Sequence, residues 1–405
     1  MTPTARKTFR LERWRAPLEG MLEPVWVPLA LLIAIRHFDA PAGLKSLLVA
    51  AGFIGLLLTP FSLSLLSRWR GTPTLLVAGI AGLSGLLLSL AVWARDLGWF
   101  VAAIVSARIL WVQSTPLMTH TFAANYDASD RGRLFAVAVV LNAIGGVIAS
   151  AGGGTWLDQD ISRYPLVLLL LVGCAWGNAL LVRALPAPPR LSAPPRNPLS
   201  HLSLVWRDRL FGWVLLSWMI LGIGNLVTVP LRIEYLAAEE YGLELGETEI
   251  MLLTFALPVG VRILASQVWG RLFDHLNFVW WRIAVNVAFV ASFLIFFNST
   301  TLWGLSAGMF CLGFAMAGGY IGWQLWVTKL APPDQVSAYM SVHTFCTGFR
   351  GTLAPFLAYP LASALGPGGV AWFSAILVVL SSIMMAAVLG SPRWAGERLR
   401  PPAEV

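Results

Sequence analysis

The stretch TLLVAGIAGLSGLLLSLAVWA, which runs from Thr74 to Ala94, contains no charged side chain. A helix of about 20 such residues is long enough to cross the ~30 Å hydrocarbon core of a membrane. The pattern recurs along the chain about twelve times. We therefore predict membrane-spanning helices at residues 18–38, 45–66, 74–94, 99–122, 134–156, 164–182, 210–231, 249–269, 278–297, 302–326, 337–360 and 370–389.

The composition agrees with this pattern. Of 405 residues, 57% are hydrophobic and only 12% are charged, whereas a soluble domain carries about 25% charged residues. A membrane barrel would show short alternating strands, and the sequence lacks that alternation. The predicted fold class is therefore an all-α membrane protein with twelve transmembrane helices.

The distribution of Lys and Arg predicts the orientation in the membrane. These residues concentrate in the even-numbered loops and in both tails. The odd-numbered loops hold only Arg36, Lys45, Arg95, Arg163 and Arg232. Both termini and the central loop should therefore face the cytoplasm. The same asymmetry explains the net charge of +8, so no nucleic-acid partner is needed to account for it.

A proline-rich stretch at 183–209 divides the chain. We predict an N-terminal six-helix bundle at 1–182, a cytoplasmic linker at 183–209 and a C-terminal six-helix bundle at 210–405. The basic tail from Arg6 to Arg15 is expected either to rest on anionic lipid or to be solvated. The acidic stretch Glu234–Glu249 is expected to be a short lid or a solvated surface.

Two loop motifs carry further information about the fold. Gly270-Arg271-Leu272-Phe273-Asp274 lies between the eighth and ninth predicted spans, and Asp130-Arg131-Gly132-Arg133 follows the span that contains Arg108. With six plus six spans and cytoplasmic termini, the chain resembles the major facilitator superfamily over nearly its whole length. The resemblance implies two pseudo-symmetric bundles and alternating access.

The same resemblance implies roles for residues of these motifs. Asp274, with Gly270 and Arg271, is the candidate conformational latch, although a loop charge that pairs with Arg271 or His275 is an equal alternative. Arg131 and Arg133 are candidates for gating. The corresponding loop in the first half has Ser67 where the family has an acid.

Three arginines, Arg108, Arg262 and Arg350, lie deep inside apolar spans. Each would cost about 2.5–3.5 kcal/mol at a bilayer centre, so they should face a protein interior or a cavity. The resemblance places their spans around the central cavity. The predicted substrate-binding residues are Arg108, Trp111, Asn225, Arg262, Trp323, Gln324, His343, Thr347 and Arg350. The alternative is that backbone carbonyls near Pro258 and Pro355, or water, satisfy the arginines.

The net charge of the predicted cavity depends on the acidic residues in the spans. Glu23 is the only clear acid within the predicted spans, so the cavity should be electropositive and its substrate anionic or zwitterionic. Glu23 and His343 are the candidates for proton coupling. The glycine-rich fifth span, Gly145–Gly154, resembles an antiporter signature, but close packing of small residues explains it better.

No motif of an enzyme or of an ATP-driven pump is present, and Cys174, Cys311 and Cys346 have no metal-ligand spacing. We therefore expect no catalytic residue, metal or cofactor. The expected protein is a monomeric secondary transporter of a small solute in the bilayer of a bacterial inner membrane. The alternative is a non-transporting receptor or membrane assembly factor on the same fold, motivated by Ser67.

Overall fold

The computed structural model describes residues 1–66, 68–69, 71–190, 199–332 and 335–391, with only the backbone at Ala128 and Ser200. Ser67 and the linker residues 191–198 lie outside this part of the chain. The described residues form helices and no strand, and eleven segments among them are long and apolar enough to cross a membrane. These segments are Pro3–Arg36, Ala42–Leu66, Pro73–Val92, Leu97–Asn125, Ser129–Leu157, Ile161–Ala184, Arg209–Ala237, Glu247–His275, Phe278–Phe297, Leu302–Leu330 and Val336–Ala386.

The helices are α1 (Pro3–Leu22), α2 (Pro28–Arg36), α3 (Ala42–Leu66), α4 (Pro73–Val92), α5 (Leu97–Val112), α6 (Ser114–Asn125), α7 (Ala128–Leu157), α8 (Tyr164–Ala184), α9 (Leu204–Arg207), α10 (Arg209–Ala237), α11 (Glu247–Met251), α12 (Leu257–His275), α13 (Phe278–Phe297), α14 (Leu302–Leu330) and α15 (Val336–Ala386). A 3₁₀ turn at Glu23–Trp26 joins α1 to α2, and a π-helix at Leu252–Ala256 joins α11 to α12.

The last helix, α15, is too long for a single crossing. Its 51 residues would extend about 77 Å at 1.5 Å per residue. The helix breaks at Gly366, where φ is 68° and ψ is 170°, a conformation that only glycine adopts without strain. Pro367 follows at once. The break falls between the two last predicted spans, 337–360 and 370–389.

The first helix begins earlier than the sequence predicted. Thr2 caps α1 by accepting a hydrogen bond from the Ala5 amide at 3.2 Å, and the helix then runs through the supposed basic tail. Its buried face includes Thr8, Glu12 and Arg15. The segment Arg6–Arg15 is therefore part of a helix with a buried face and not a solvated tail, and its contact with anionic lipid stays a prediction. The charged residues on the opposite face hid the helix, because they lowered the hydropathy of this window.

The described chain forms two compact units. Unit 1 comprises Met1–Pro198 and Arg232–Ala256, and unit 2 comprises Leu199–Leu231 and Leu257–Val405. The chain leaves unit 2 just after Pro230, which lies inside α10, and returns to it at the end of the π-helix, just before Pro258. The predicted domain boundaries at 182 and 210 stay a prediction.

Close helix packing in unit 1 depends on small residues of α1 and α7. A Cβ atom added at Gly20 would lie 1.8 Å from the carbonyl oxygen of Asn142, and one at Gly145 would lie 2.1 Å from that of Pro17. Because both obstacles are backbone atoms, no side-chain rotation relieves them. The glycines therefore allow the two helix backbones to approach closely.

Substitution of Gly20 tests this packing. Gly20→Val should destabilise the protein by about 3 kcal/mol or more, the upper range for overpacking, and should lower its unfolding temperature and its yield of monodisperse protein. Gly79→Val is the matched control, because a Cβ atom at Gly79 on α4 meets nothing within 4 Å. Equal unfolding temperatures for the two variants would contradict the proposed close approach.

Candidate functional site

A cluster of arginine and tryptophan side chains forms the interior of unit 2. Helix α15 contributes His343, Thr347 and Arg350, and all three are buried. They share one helix face, as their spacing predicted. Helices α10, α13 and α14 surround them. The cluster, called here the arginine–tryptophan cluster, consists of Trp218, Arg282, Trp323, Trp326, His343, Thr347 and Arg350.

Arg350 lies against the backbone of α10. Its Nη1 donates a hydrogen bond to the carbonyl oxygen of Trp218, and its Nε has no hydrogen-bond partner. A Cβ atom at Gly222 would lie 2.2 Å from that Nε. Gly222 therefore provides the space that the guanidinium occupies, and larger residues would displace it.

Arg282 on α13 is the residue that sequence reasoning missed. Its side chain is only 2% exposed, its guanidinium carbon lies 4.2 Å from the centre of the Trp218 ring, and its Nη1 has no hydrogen-bond partner. In the sequence it lies close to the start of the predicted span 278–297 and was not among the predicted binding residues. The signal was present, since Phe278, Arg282, Asn286 and Phe289 follow the helical period of the buried face of α13.

His343 is fully enclosed by indole rings. It is 0% exposed, and its ring centre lies 5.4 Å from Trp218, 5.6 Å from Trp323 and 5.3 Å from Trp326. Neither ring nitrogen has a hydrogen-bond partner. Trp323 donates its Nε1 hydrogen to the hydroxyl oxygen of Thr347 at 3.3 Å, which anchors one side of the aromatic enclosure.

The cluster has unused donors and no described acid. The indole nitrogens of Trp218 and Trp326 also have no hydrogen-bond partner. Within the described part of unit 2, the only acids are Asp208 and Asp274. Asp208 accepts hydrogen bonds from the Tyr339 hydroxyl at 2.9 Å and the Phe211 amide at 3.1 Å, and Asp274 is exposed. The described carboxylates therefore leave Arg282 and Arg350 unneutralised.

The predicted binding residues Arg262 and Gln324 of unit 2 have no described side-chain contact with the cluster. Arg262 is half-buried on α12, and its carbonyl oxygen accepts a hydrogen bond from Ser266. Asn225 accepts a hydrogen bond from Thr228 through its own carbonyl oxygen. Gln324 is exposed. Their roles in binding stay predictions.

Arg108 lies in a different environment, in unit 1. Its guanidinium carbon is 5.2 Å from the centre of the Trp26 ring, and that ring lies 5.7 Å from the buried ring of Trp111. The carboxylates of Glu23 and Glu19 attract its charge. The positive charge of Arg108 therefore has acidic neighbours, unlike that of Arg350.

Unit 1 also contains a buried ion-pair network that the sequence interpretation did not include. Arg15 Nη2 lies 2.5 Å from Glu12 and 2.7 Å from Glu19. Glu12 is 1% exposed. The interpretation of Glu23 as the only clear acid within the spans was therefore wrong, because Glu19 lies inside the predicted span 18–38 and α1 begins earlier, at Pro3, and also includes Glu12.

The predicted gating residues lie at helix ends. Arg131 donates hydrogen bonds to the carbonyl oxygens of Ala123 at 2.8 Å and Tyr126 at 3.2 Å, which satisfies free carbonyls at the end of α6. Arg133 forms an exposed ion pair with Asp130 at 2.9 Å. The latch candidates Gly270, Arg271 and Asp274 occupy the last turns of α12. The described ion pairs do not include Asp274 with Arg271 or His275.

The segment Arg232–Ala256 is attached to unit 1 by several polar contacts. Arg36 donates to the carbonyl oxygens of Ala237 at 3.1 Å and Leu245 at 2.6 Å, and pairs with Glu247 at 2.7 Å. Lys45 pairs with Glu234 at 2.5 Å. A cavity of 1090 Å³ is lined by both Arg36 and Lys45 and by five acids, Asp39, Glu234, Glu239, Glu240 and Glu244.

Asp158 provides another contact to this segment. Its carboxylate accepts hydrogen bonds from the Thr248 amide at 3.1 Å and from the Thr248 hydroxyl. Partial burial acts to raise the pKa of Asp158, but the hydrogen bonds from Thr248 and Glu247 outweigh it, so the pKa lies below its usual value. The contact is therefore complete at neutral pH and is lost only as the pH falls through that lowered pKa.

Comparison with known proteins gives a family match for part of the chain and structural matches for nearly all of it. The Major Facilitator Superfamily model matches residues 227–404. A point mutant of the nucleoside transporter NupG has 14% identity and a TM-score of 0.76, with 94% of this chain and 99% of that chain covered. A bacterial homologue of the human lysosomal transporter Spinster, in an inward-facing and occupied conformation, has 13% identity and a TM-score of 0.73, with 99% and 100% covered.

The human organic anion transporter MFSD10 is also similar, with 15% identity, a TM-score of 0.63 and coverage of 95% and 100%. No curated protein matches the sequence. The fold is that of a multi-pass membrane transporter. The predicted resemblance to the major facilitator superfamily is confirmed, since the second half matches the family model and the whole length has the fold of these transporters.

Substitution of His343 tests the contacts within the arginine–tryptophan cluster. Because its two ring nitrogens are buried without partners, His343→Leu should keep the unfolding temperature or raise it, since an unsatisfied buried polar group costs about 1–3 kcal/mol. Thr347→Val, which removes the acceptor of Trp323, should lower stability by about 1 kcal/mol. A clear loss of stability in His343→Leu would show that water or a solute binds the imidazole.

Proposed function

We propose that this protein is a secondary transporter that moves a small anionic or zwitterionic organic solute across the membrane by alternating access. One observation supports the choice of charge. Arg282 and Arg350 lie buried together in unit 2, each with an unused donor, and the described carboxylates do not neutralise them. A solute that carries a carboxylate or a phosphate would supply the missing charge and acceptors.

The chemistry of the cluster favours an organic anion over a small inorganic ion. Guanidinium groups bind planar oxyanions through paired hydrogen bonds. The faces of Trp218, Trp323 and Trp326 add apolar surface beside the charges, and indole N–H groups add neutral donors. Such a combination of a few polar groups with apolar walls is typical of binding sites for small organic molecules.

The solved transporters support the fold and leave the substrate open. Their printed names include a nucleoside transporter and an organic anion transporter, and at these identities the likeness concerns the fold alone. The preference for an anion therefore rests on the arginine–tryptophan cluster. Arg108 and Arg262 complete the proposed set of cationic residues.

The topology that we propose with this function has twelve membrane crossings, because α15 breaks at Gly366. It has both termini in the cytoplasm, because loops rich in Lys and Arg face the cytoplasm in membrane proteins. The proposed location is the bacterial inner membrane, and the proposed state is a monomer. The segment Arg232–Ala256 then lies on the outer side. We propose that its contacts with Arg36, Lys45 and Asp158 break when the outer side of the transporter opens.

The anion site can be tested before the substrate is known. In a thermal-shift screen of organic carboxylates and phosphates on the purified protein, a ligand at 100 times its Kd should stabilise the native state by about 2.7 kcal/mol. Arg350→Gln should remove that stabilisation. Arg207→Gln, which changes an exposed arginine of the same unit, is the matched control and should keep it.

Transport provides the second arm of this test. A ligand found in the screen should be taken up by proteoliposomes that contain the wild type, and Arg350→Gln and Arg108→Gln should lose most of that uptake. Full uptake by both variants would exclude the proposed anion site. Binding without uptake in the wild type would instead favour a non-transporting protein.

The outer contacts can be tested with a thiol probe. In an Ile250→Cys protein, Arg36→Ala should increase labelling by a membrane-impermeant maleimide about tenfold, because it removes three hydrogen bonds that restrain the segment around the fully buried Ile250. Arg163→Ala, which removes an exposed arginine of unit 1, should leave the labelling rate unchanged. Equal rates in all three proteins would rule out a restraining role for Arg36.

A further inference from the structure

The start of α1 carries a row of basic side chains on one side of the helix. The exposed residues in this row are Arg6, Lys7, Arg10, Arg13 and Trp14, and we call them the basic face of α1. Residues three, four or seven positions apart lie above one another on a helix. Arg6, Arg10 and Arg13 follow this spacing, and so do Lys7 and Trp14. The basic face therefore presents four positive charges and one indole ring to its surroundings.

Buried contacts on the opposite side of α1 fix the rotation of the helix. Thr8, Glu12 and Arg15 are buried there. Arg15 places its Nε 2.7 Å and its Nη2 2.5 Å from the two carboxylate oxygens of Glu12, and the same Nη2 lies 2.7 Å from Glu19. A rotation that turned the basic face inward would break this buried network, which is costly. The basic face is therefore held toward the outside of unit 1.

The four basic side chains of this face have no described counter-ion. The ion pairs and side-chain hydrogen bonds of the described residues do not include any of the four. Their one described contact joins the guanidinium carbon of Arg13 to the Phe9 ring, 5.6 Å from its centre. Glu12 and Glu19 are bound by Arg15. A ligand with negative charge would therefore meet charges that the described carboxylates do not pair.

The contact between α1 and α7 indicates how deep the basic face lies in the membrane. Gly20 lies against the backbone of Asn142, in the middle of α7 (Ala128–Leu157), and the middle of a spanning helix lies near the bilayer centre. At 1.5 Å per residue, Arg10 lies about 15 Å before Gly20 along the helix and Arg6 about 21 Å before it. Half of the hydrocarbon core is about 15 Å thick. Arg10 should therefore lie at the hydrocarbon boundary and Arg6 among the headgroups.

This depth places the basic charges where the phosphate groups of lipids lie. Groups of about four to eight Lys and Arg residues next to a membrane-spanning helix attract anionic lipids. Guanidinium groups also bind phosphate oxygens through paired hydrogen bonds. We propose that the basic face of α1 binds the headgroups of anionic phospholipids. This interaction does not depend on the transported solute.

A lipid fits this face better than a soluble anion does. Trp14 is 69% exposed and lies about 9 Å before Gly20, inside the hydrocarbon boundary. An acyl chain would cover its ring, and tryptophan is enriched at this depth in membrane proteins. Arg13 lies beside Trp14, and helical side chains point toward the N-terminus, so its guanidinium can reach the headgroups. One amphipathic molecule therefore matches both the indole and the charges.

The experiment is native mass spectrometry of the purified full-length protein, titrated in detergent with phosphatidylglycerol or with phosphatidylcholine. The wild type should bind phosphatidylglycerol more tightly. In the double variant Arg10→Gln with Arg13→Gln, the Kd of the first phosphatidylglycerol should rise about thirtyfold, since each basic residue near the surface contributes about fivefold. The Kd for phosphatidylcholine should stay unchanged, because this lipid has no net charge.

Two control proteins separate this effect from misfolding and from net charge. Arg10→Lys with Arg13→Lys keeps both charges, so its Kd for phosphatidylglycerol should stay within about fivefold of the wild type. Arg95→Gln with Arg163→Gln removes two exposed arginines from the loops that follow α4 and α7. This variant loses the same net charge away from the basic face and should keep the wild-type Kd.

An unchanged Kd in Arg10→Gln with Arg13→Gln would overturn the proposal in favour of a solvated face. An equal loss of affinity in Arg95→Gln with Arg163→Gln would also overturn it, because the lipid would then respond to net charge alone. Glycerol phosphate that binds the wild type as tightly as phosphatidylglycerol does would replace the lipid with a soluble anion.

Discussion

The main constraint on this protein is the cost of a charge inside an apolar bundle. An ion transferred from water to such an interior loses several kcal/mol of solvation that its new contacts have to replace. The two units meet this constraint differently. In unit 1, Arg15 is neutralised by Glu12 and Glu19. In unit 2, Arg282 and Arg350 rely on an indole ring and a backbone carbonyl.

The energies of these contacts show that they do not fully stabilise the two buried arginines of unit 2. A desolvated cation–π contact contributes about 2 kcal/mol, and a hydrogen bond from a charged group contributes about 1.5–3 kcal/mol. Neither contribution matches the full desolvation cost of a guanidinium, and the charge itself remains. Stability alone therefore does not explain why both arginines are retained in the cluster. The anionic solute that we propose would neutralise them when it is bound, and this would account for their presence in the cluster.

Much of the architecture follows from the sequence, because long apolar runs specify membrane helices and Gly366 with Pro367 specifies the break in α15. The shared face of His343, Thr347 and Arg350 was also predictable from helical spacing. The burial of Glu12 and Arg282 was not predicted, for the same physical reason. Arg282 lies near the start of α13, and Glu12 lies in a part of α1 that is rich in basic residues, and in such stretches hydropathy does not distinguish a charge that faces a neighbouring helix from one that faces water.

The segment Arg232–Ala256 shows a second limit of prediction from the sequence. Hydropathy predicts its helices but does not indicate which other helices they contact. That depends on Arg36, whose three donors match three acceptors from this segment. The backbone is already weakened at both ends of the segment, since Pro230 lacks an N–H group and the π-helix at Leu252–Ala256 shifts the hydrogen-bond register. Movement of the segment would therefore break few helical hydrogen bonds, but it would have to break the polar contacts to Arg36, Lys45 and Asp158.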